Sequence, residues 1–339
     1  MKKFIISLLA AILVIGNLSA CGATDVKAAS NDKLQIVTTI FPEYDWVMNV
    51  LGSNPAGAEV TMLLDNGVDL HSYQPTADDI MKISSCDLFI YVGGESDEWV
   101  EDALKEATNK DMVVIDLLDV LGDSVKEEEV VEGMQEEDEH EHHHEDGEDE
   151  HEHEEHEEEE VEYDEHVWLS LKNAVILTEV ISDKLQSIDA ANADAYMKNT
   201  EAYVSKLNDL DAKYRDAVSA APVKTLLFGD RFPFRYLTDD YGLNYYAAFV
   251  GCSAETEASF ETITFLSNKV DELSLHAVMT IEGTDHRIAE TIVGNTGSKD
   301  QQILTMDSMQ STTSKDVAAG TTYYSVMENN LTALKEALK

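Results

Sequence analysis

Residues 59–84, EVTMLLDNGVDLHSYQPTADDIMKIS, hold the passage that decides the fold. The run from Glu59 to Leu64 is short, apolar and rich in β-formers, as a buried strand requires. After a loop, Thr76 followed three residues later by Asp79 imitates a capping box and predicts a helix from about Ala77 to Ser84. The unit is strand, loop, helix, and His71 sits in the loop. In open α/β sheets, ligands collect beyond the carboxyl ends of the strands, which is where such a loop lies.

The same unit recurs on both sides of this passage. Strands are predicted at Leu34 to Ile40, Asp87 to Tyr91 and Met112 to Ile115, with helices near Glu43 to Leu51 and Asp97 to Ala107. Two helices, Leu169 to Leu185 and Asn192 to Ala220, come next. The second carries Tyr196, Tyr203, Leu207, Leu210 and Tyr214 at helical spacing. Strands then return at Val223 to Phe228, Asn244 to Phe249, Ala277 to Ile281 and Gln301 to Thr305. The helices expected with them lie near Phe234 to Asp240, Ser259 to Glu272, Asp285 to Val293 and Thr321 to Leu338. Alternation at this spacing predicts an α/β fold of two similar lobes, each a mainly parallel sheet flanked by helices, with a long rigid helix joining them. The expected boundaries are 33–190 for the first lobe, 191–221 for the connecting helix and 222–339 for the second lobe. The length allows two separate cores.

The formal net charge of -45 excludes non-specific attraction to nucleic acid or to anionic lipid and makes cations the natural partners. Much of the charge lies between Glu127 and His166, where lysine and arginine are absent. There His140, His142, His143, His144, His151, His153 and His156 are set among glutamates and aspartates. Such a stretch buries too little apolar surface to offset ordering its backbone, so 126–165 is expected to be a disordered loop that gathers metal weakly.

The chain opens with Lys2 and Lys3, an apolar run from Phe4 to Ile15, and Leu18-Ser19-Ala20-Cys21. That pattern predicts a signal peptide over 1–20, too short to serve as a membrane span. A small residue before a cysteine resembles the lipobox of bacterial lipoproteins. The resemblance implies a diacylglyceryl anchor on Cys21, a flexible tether over 21–32, and a location on the extracytoplasmic face of the cell membrane. Cys86 and Cys252 remain. An exported location permits a disulfide between them, with buried free thiols or metal ligation as the alternatives.

Two histidine passages carry the chemistry. Asp69-Leu70-His71-Ser72-Tyr73-Gln74-Pro75-Thr76-Ala77-Asp78-Asp79 and Asp164-Glu165-His166-Val167-Trp168-Leu169 resemble the two histidine motifs of the metal-binding lipoproteins of zinc and manganese ABC transporters. The likeness extends over nearly the whole chain after the leader. Thr39-Ile40-Phe41-Pro42-Glu43-Tyr44, Ser85 to Gly94, Tyr241-Gly242-Leu243 and Ile288-Ala289-Glu290-Thr291-Ile292 all match recurrent stretches, and the histidine-rich insertion is that of the zinc-importing members. The resemblance implies that His71 and His166 are metal ligands in a cleft between the lobes.

At the place of the family's third histidine stands Arg231, a permanent cation that cannot ligate a metal. Asp307, at the position of a ligating aspartate in manganese-type relatives, and Glu282, at a strand end, are the first candidates to replace it. His286 and Asp230 come second. Arg231 is expected to pair with one of these carboxylates. Carboxylate donors lean toward Mn2+, whereas clustered imidazoles suit Zn2+.

The function expected is capture of Zn2+ outside the cell by a monomer, for delivery to a membrane permease driven by a cytoplasmic ATPase. The alternatives are a manganese-specific member of the same family, and a metal-buffering or adhesive surface lipoprotein that works without a transporter. The chain carries no phosphate-binding Gly-x-x-x-x-Gly-Lys loop, no His-Glu-x-x-His passage and no nucleophile motif, so an enzyme is not expected.

Overall fold

The computed structural model describes residues 33–135, 162–253, 257–283 and 285–339. The leader, Cys21, the 21–32 tether and the seven histidines from His140 to His156 lie outside the described residues.

Among the described residues, eight strands form two sheets with the same plan. In the first, β1 (Gln35–Thr38), β2 (Glu59–Met62), β3 (Leu88–Tyr91) and β4 (Val113–Asp116) run parallel in the order β2-β1-β3-β4. In the second, β5 (Thr225–Phe232), β6 (Asn244–Val250), β7 (Ala277–Ile281) and β8 (Gln302–Met306) run parallel in the order β6-β5-β7-β8. Parallel neighbours need a crossover between them, and helices supply it. Those of the first half are α1 (Phe41–Leu51), α2 (Ala77–Ser85), α3 (Trp99–Lys105) and α4 (Leu117–Leu121). Next come α5 (Leu171–Ile188) and α6 (Ala193–Ala220). The second half holds α7 (Arg235–Tyr241), α8 (Phe260–Glu272), α9 (Arg287–Asn295), α10 (Ser314–Ala318) and α11 (Tyr323–Ala337).

Local sequence accounts for most boundaries. Thr76 and Asp79 form the predicted capping box at α2, where the Thr76 hydroxyl donates to Asp79 at 2.7 Å and accepts the Asp79 N–H at 3.2 Å. The five-residue helices α4 and α10 lie outside the predicted set, because one turn is too short to display a helical period. β5 runs past Phe228 to Phe232 through a register shift between Phe228 and Arg231, so Asp230 and Arg231 belong to the strand end.

The core is not divided evenly between the two halves. Its larger cluster is continuous from Ile36 through Trp46, Trp168 and Tyr214 to Leu338, and only a smaller cluster around Leu227, Leu266 and Ile292 is confined to the second half. The reason is α6. Its buried stripe of Tyr196, Tyr203, Leu207, Leu210, Tyr214 and Val218 packs on α1 and α5 from one half and on α7 and α11 from the other. Trp46 on α1 meets Tyr323 on α11 edge to face, with ring centroids 5.3 Å apart. The buried tyrosine tips are paired, as they must be in this environment. Tyr214 donates to the Met327 carbonyl at 2.6 Å, and Tyr323 donates to the Trp168 carbonyl at 2.6 Å.

One carboxyl in this junction opposes folding at neutral pH. Asp45 is 7% exposed, and burial raises its pKa to about 6 despite hydrogen bonds from the Tyr323 backbone, Tyr203 and Asn49. A carboxyl whose folded pKa is raised contributes its stability below the unfolded pKa and loses it as pH climbs through the folded one. Asp45→Asn is therefore expected to gain on the wild type by about 3 kcal/mol between pH 4 and pH 8, at roughly 1.4 kcal/mol per pKa unit. Urea unfolding of both proteins at several pH values checks this. A variant that parallels the wild type throughout would refute it.

Candidate metal centre

His71 lies in the loop after β2, on a single 3-10 turn over Leu70–Ser72. The Asp69 side chain caps that turn by accepting the His71 N–H at 3.1 Å. His166 opens a second 3-10 turn over Val167–Leu169 and is fully buried. Its N–H is likewise held by the aspartate two residues before it, Asp164, at 2.9 Å. Both passages thus use one local device, in which a short acidic side chain ties down the backbone and the next-but-one histidine projects forward.

The structure brings these two side chains together. His71 Nε2 and His166 Nε2 stand 3.2 Å apart. The other nitrogen of each ring is already engaged: His71 Nδ1 lies 2.8 Å from the Ser96 hydroxyl and 3.4 Å from Glu165, and His166 Nδ1 lies 3.0 Å from Asp164. With the ring proton on Nδ1, where Asp164 accepts it from His166 and Ser96 can accept it from His71 beside Glu165, each ring turns an Nε2 lone pair toward the same point. Two lone pairs at that distance repel unless a proton or a cation lies between them. This is the arrangement in which imidazole binds a metal, with its outer nitrogen steadied by a carboxylate.

Charge around the pair favours a cation. Burial works to lower the His166 pKa, but Asp164 and then Glu165 outweigh it and hold it above the ordinary value. Burial works to raise Glu165, and the hydrogen bond and charge of His71, with two hydrogen bonds from Ser96, bring it below the usual carboxylate range.

Arg231 is neutralised by an unexpected partner. Its guanidinium pairs with Asp69 at 2.7 Å and donates to the Ser253 carbonyl at 3.3 Å. The ion pair therefore joins the strand end of the second half to the loop that carries His71. Burial works to raise the Asp69 pKa, and Arg231 with His71 more than reverses it.

The other candidates lie as follows. Glu282 accepts from the Ser308 N–H at 2.6 Å, the Ser308 hydroxyl at 2.7 Å and the Gln310 N–H at 3.2 Å. Asp307 accepts from the Met309 N–H at 2.8 Å, and burial together with the Glu282 charge pushes its pKa up to about 7. Asp230 accepts the N–H groups of Arg231 at 2.9 Å and Ile281 at 3.2 Å, and bridges β5 to β7. His286 adopts a left-handed backbone at φ 57° before α9. Among the described residues, the one cluster of three or more His, Cys, Asp or Glu side chains whose donor atoms all fall within 4.8 Å of each other is His71, His166 and Cys252.

Cys252 follows β6 and forms no disulfide, and neither does the buried Cys86. Burial, and after it the carboxylates of Glu128, Asp164 and Glu165, push the Cys252 thiol pKa well up. The loop approaches His166 so closely that a Cβ on Gly251 would stand 2.9 Å from His166 Cε1 and 3.0 Å from the Phe232 carbonyl. Gly251→Ala is expected to displace the His166 ring and weaken metal binding by roughly 10- to 100-fold, as loss of an outer-shell support does. Metal competition would measure it, with circular dichroism confirming that the fold persists.

A family model described as "ZnuA: Zinc-uptake complex component A periplasmic" matches residues 36–337. The chain is 33% identical over 336 residues to the zinc-binding lipoprotein AdcA of Streptococcus pneumoniae, an alignment covering 99% of this chain but 61% of that protein. It is 29% identical over 327 residues to the high-affinity zinc uptake system protein ZnuA of Bacillus subtilis, covering 96% of this chain and 93% of that protein. Among solved structures it resembles the Zn(II)-bound ZnuA-like domain of Streptococcus pneumoniae AdcA. The TM-score there is 0.68 at 28% identity, covering 91% of this chain and 99% of that one. With two like parallel sheets, a histidine pair at their loops and a match over nearly its whole described length, this chain belongs to the ZnuA family of zinc-uptake components.

Proposed function

We propose that this chain captures Zn2+ at His71 and His166 and hands it to a membrane permease powered by a cytoplasmic ATPase. The observation that carries the reading is the pair of Nε2 atoms facing each other at 3.2 Å, each on a ring whose Nδ1 is already anchored. Zinc takes about four nitrogen, sulfur or oxygen donors, and neutral imidazole is among its preferred ones. The related streptococcal domain is described as Zn(II)-bound, and the curated relatives are named for zinc. The manganese-specific alternative draws no comparable support from those names.

In this reading the protein acts by chelation alone. A divalent cation between the two Nε2 atoms accepts both lone pairs, and the surrounding carboxylates balance its charge. Asp164 and Glu165 then steady the two rings. The seven histidines between His140 and His156 serve as a weak gathering array that raises the metal concentration near the tight site. Anchoring through Cys21 would hold the receptor beside its permease. Among the described residues no helix is long and apolar enough to cross a membrane.

His71→Ala and His166→Ala are each expected to abolish tight binding of a single zinc equivalent, measured by competition with a chromogenic chelator. Glu282→Ala and Asp307→Ala in the same series report whether a carboxylate supplies a further donor. Tight binding retained by both histidine variants would sink the reading. Deletion of residues 136–161 is expected to leave the tight equivalent intact and remove only weak ones, as read by titration calorimetry. Loss of the tight site on deletion would overturn the division of labour.

A further inference from the structure

Three observations converge on the loop after β6. Its Cys252 donor atom lies within 4.8 Å of those of His71 and His166. Both sides of the loop are pinned: the Cys252 N–H donates to Glu128 at 3.3 Å, and the next carbonyl, that of Ser253, accepts from Arg231 at 3.3 Å. The two sheets also share one strand order, β2-β1-β3-β4 and β6-β5-β7-β8. In each, the second strand of its half forms one edge, and the loop leaving it carries a side chain able to ligate a metal: His71 after β2, Cys252 after β6. The two halves thus present equivalent loops to one point.

The histidine pair is not complete by itself. His166 is fully buried, and its Nε2 is aimed at a second nitrogen rather than at solvent. Arg231 stands where the family pattern places a third imidazole, and its charge is committed to Asp69. A third donor must come from another element, and Cys252 is the side chain positioned to supply it.

We propose that Cys252 is the third donor of the site, bound as a thiolate, and that it sets the preference for zinc over manganese. This rests on the function proposed above and specifies its ligand chemistry. A thiolate is a soft donor that suits zinc, whereas manganese favours carboxylate, carbonyl and water. A site of two imidazoles and one thiolate therefore discriminates between the two ions where two imidazoles and a carboxylate would not. On binding, the S–H bond breaks, an S–Zn bond forms and one proton leaves to solvent, with no change of oxidation state.

The test uses the full chain loaded with one equivalent of Co2+ as a spectroscopic stand-in for zinc. The wild type is expected to show a near-ultraviolet thiolate-to-cobalt charge-transfer band that is absent from Cys252→Ser. That variant should lose at least about 100-fold in zinc affinity, the upper end of what losing an outer-shell partner costs, with its manganese affinity far less affected. Cys252→His should recover zinc binding without the band. A cobalt-loaded wild type lacking the band, or a Cys252→Ser protein whose zinc affinity is unchanged, overturns the proposal. Should Cys252→Ser fail to fold, the wild-type spectrum decides alone. Tight zinc binding that survives both His71→Ala and His166→Ala refutes the function itself, an outcome distinct from a folded histidine pair that binds zinc without sulfur.

Discussion

Everything at the site depends on how the segment from Asp164 to Trp168 is suspended. It is buried throughout, so each polar group in it needs a partner, and the second half of the chain supplies several. The Asp164 carbonyl accepts from Tyr236 at 2.7 Å, the Trp168 indole donates to the Ser308 carbonyl at 2.8 Å, and the Trp168 carbonyl accepts from Tyr323 at 2.6 Å. An unmet buried donor or acceptor costs on the order of 1–3 kcal/mol, so these bonds leave the segment little freedom. His166 is placed by them as firmly as by its own backbone. The ring of Trp168 then packs beside it, with centroids 5.2 Å apart.

That suspension works because the two halves are not independent bodies. α6 carries one continuous apolar stripe that both halves bury, and α1 and α11 meet across Trp46 and Tyr323. A shared core transmits position between the sheets and keeps the loops after β2 and β6 in register with each other. The Asp69–Arg231 ion pair adds a direct tie at the site. Its two partners are about one-fifth exposed, so its main effect is to neutralise a cation that would otherwise oppose the metal.

Electrostatics complete the arrangement at two ranges. The net charge of -45 makes the whole molecule attractive to cations. Close to the histidines, Asp164 and Glu165 lie against individual nitrogens, Nδ1 in each ring, and leave the two Nε2 atoms facing each other. The acidic pair Glu282 and Asp307 follows β7 and β8, and hydrogen bonds to Ser308, Gln310 and Met309 hold it in place.

Local periodicity and capping chemistry make the strands, the main helices and the α/β class legible in the sequence itself, because these are set by neighbours a few residues apart. The histidine passages are legible for the same reason: Asp69 to Asp79 and Asp164 to Leu169 are compact motifs. Long-range facts are not. That His71 and His166, 95 positions apart, meet at their Nε2 atoms follows from packing. So does the pairing of Arg231 with Asp69 rather than with a second-half carboxylate, since that partner lies across the chain's midpoint. For Cys252 the sequence leaves a disulfide, a buried thiol and a metal ligand all open, because nothing near it in the chain distinguishes these. Only the shared strand order of the two sheets, which makes the loop after β6 the counterpart of the loop after β2, brings its sulfur to the histidines.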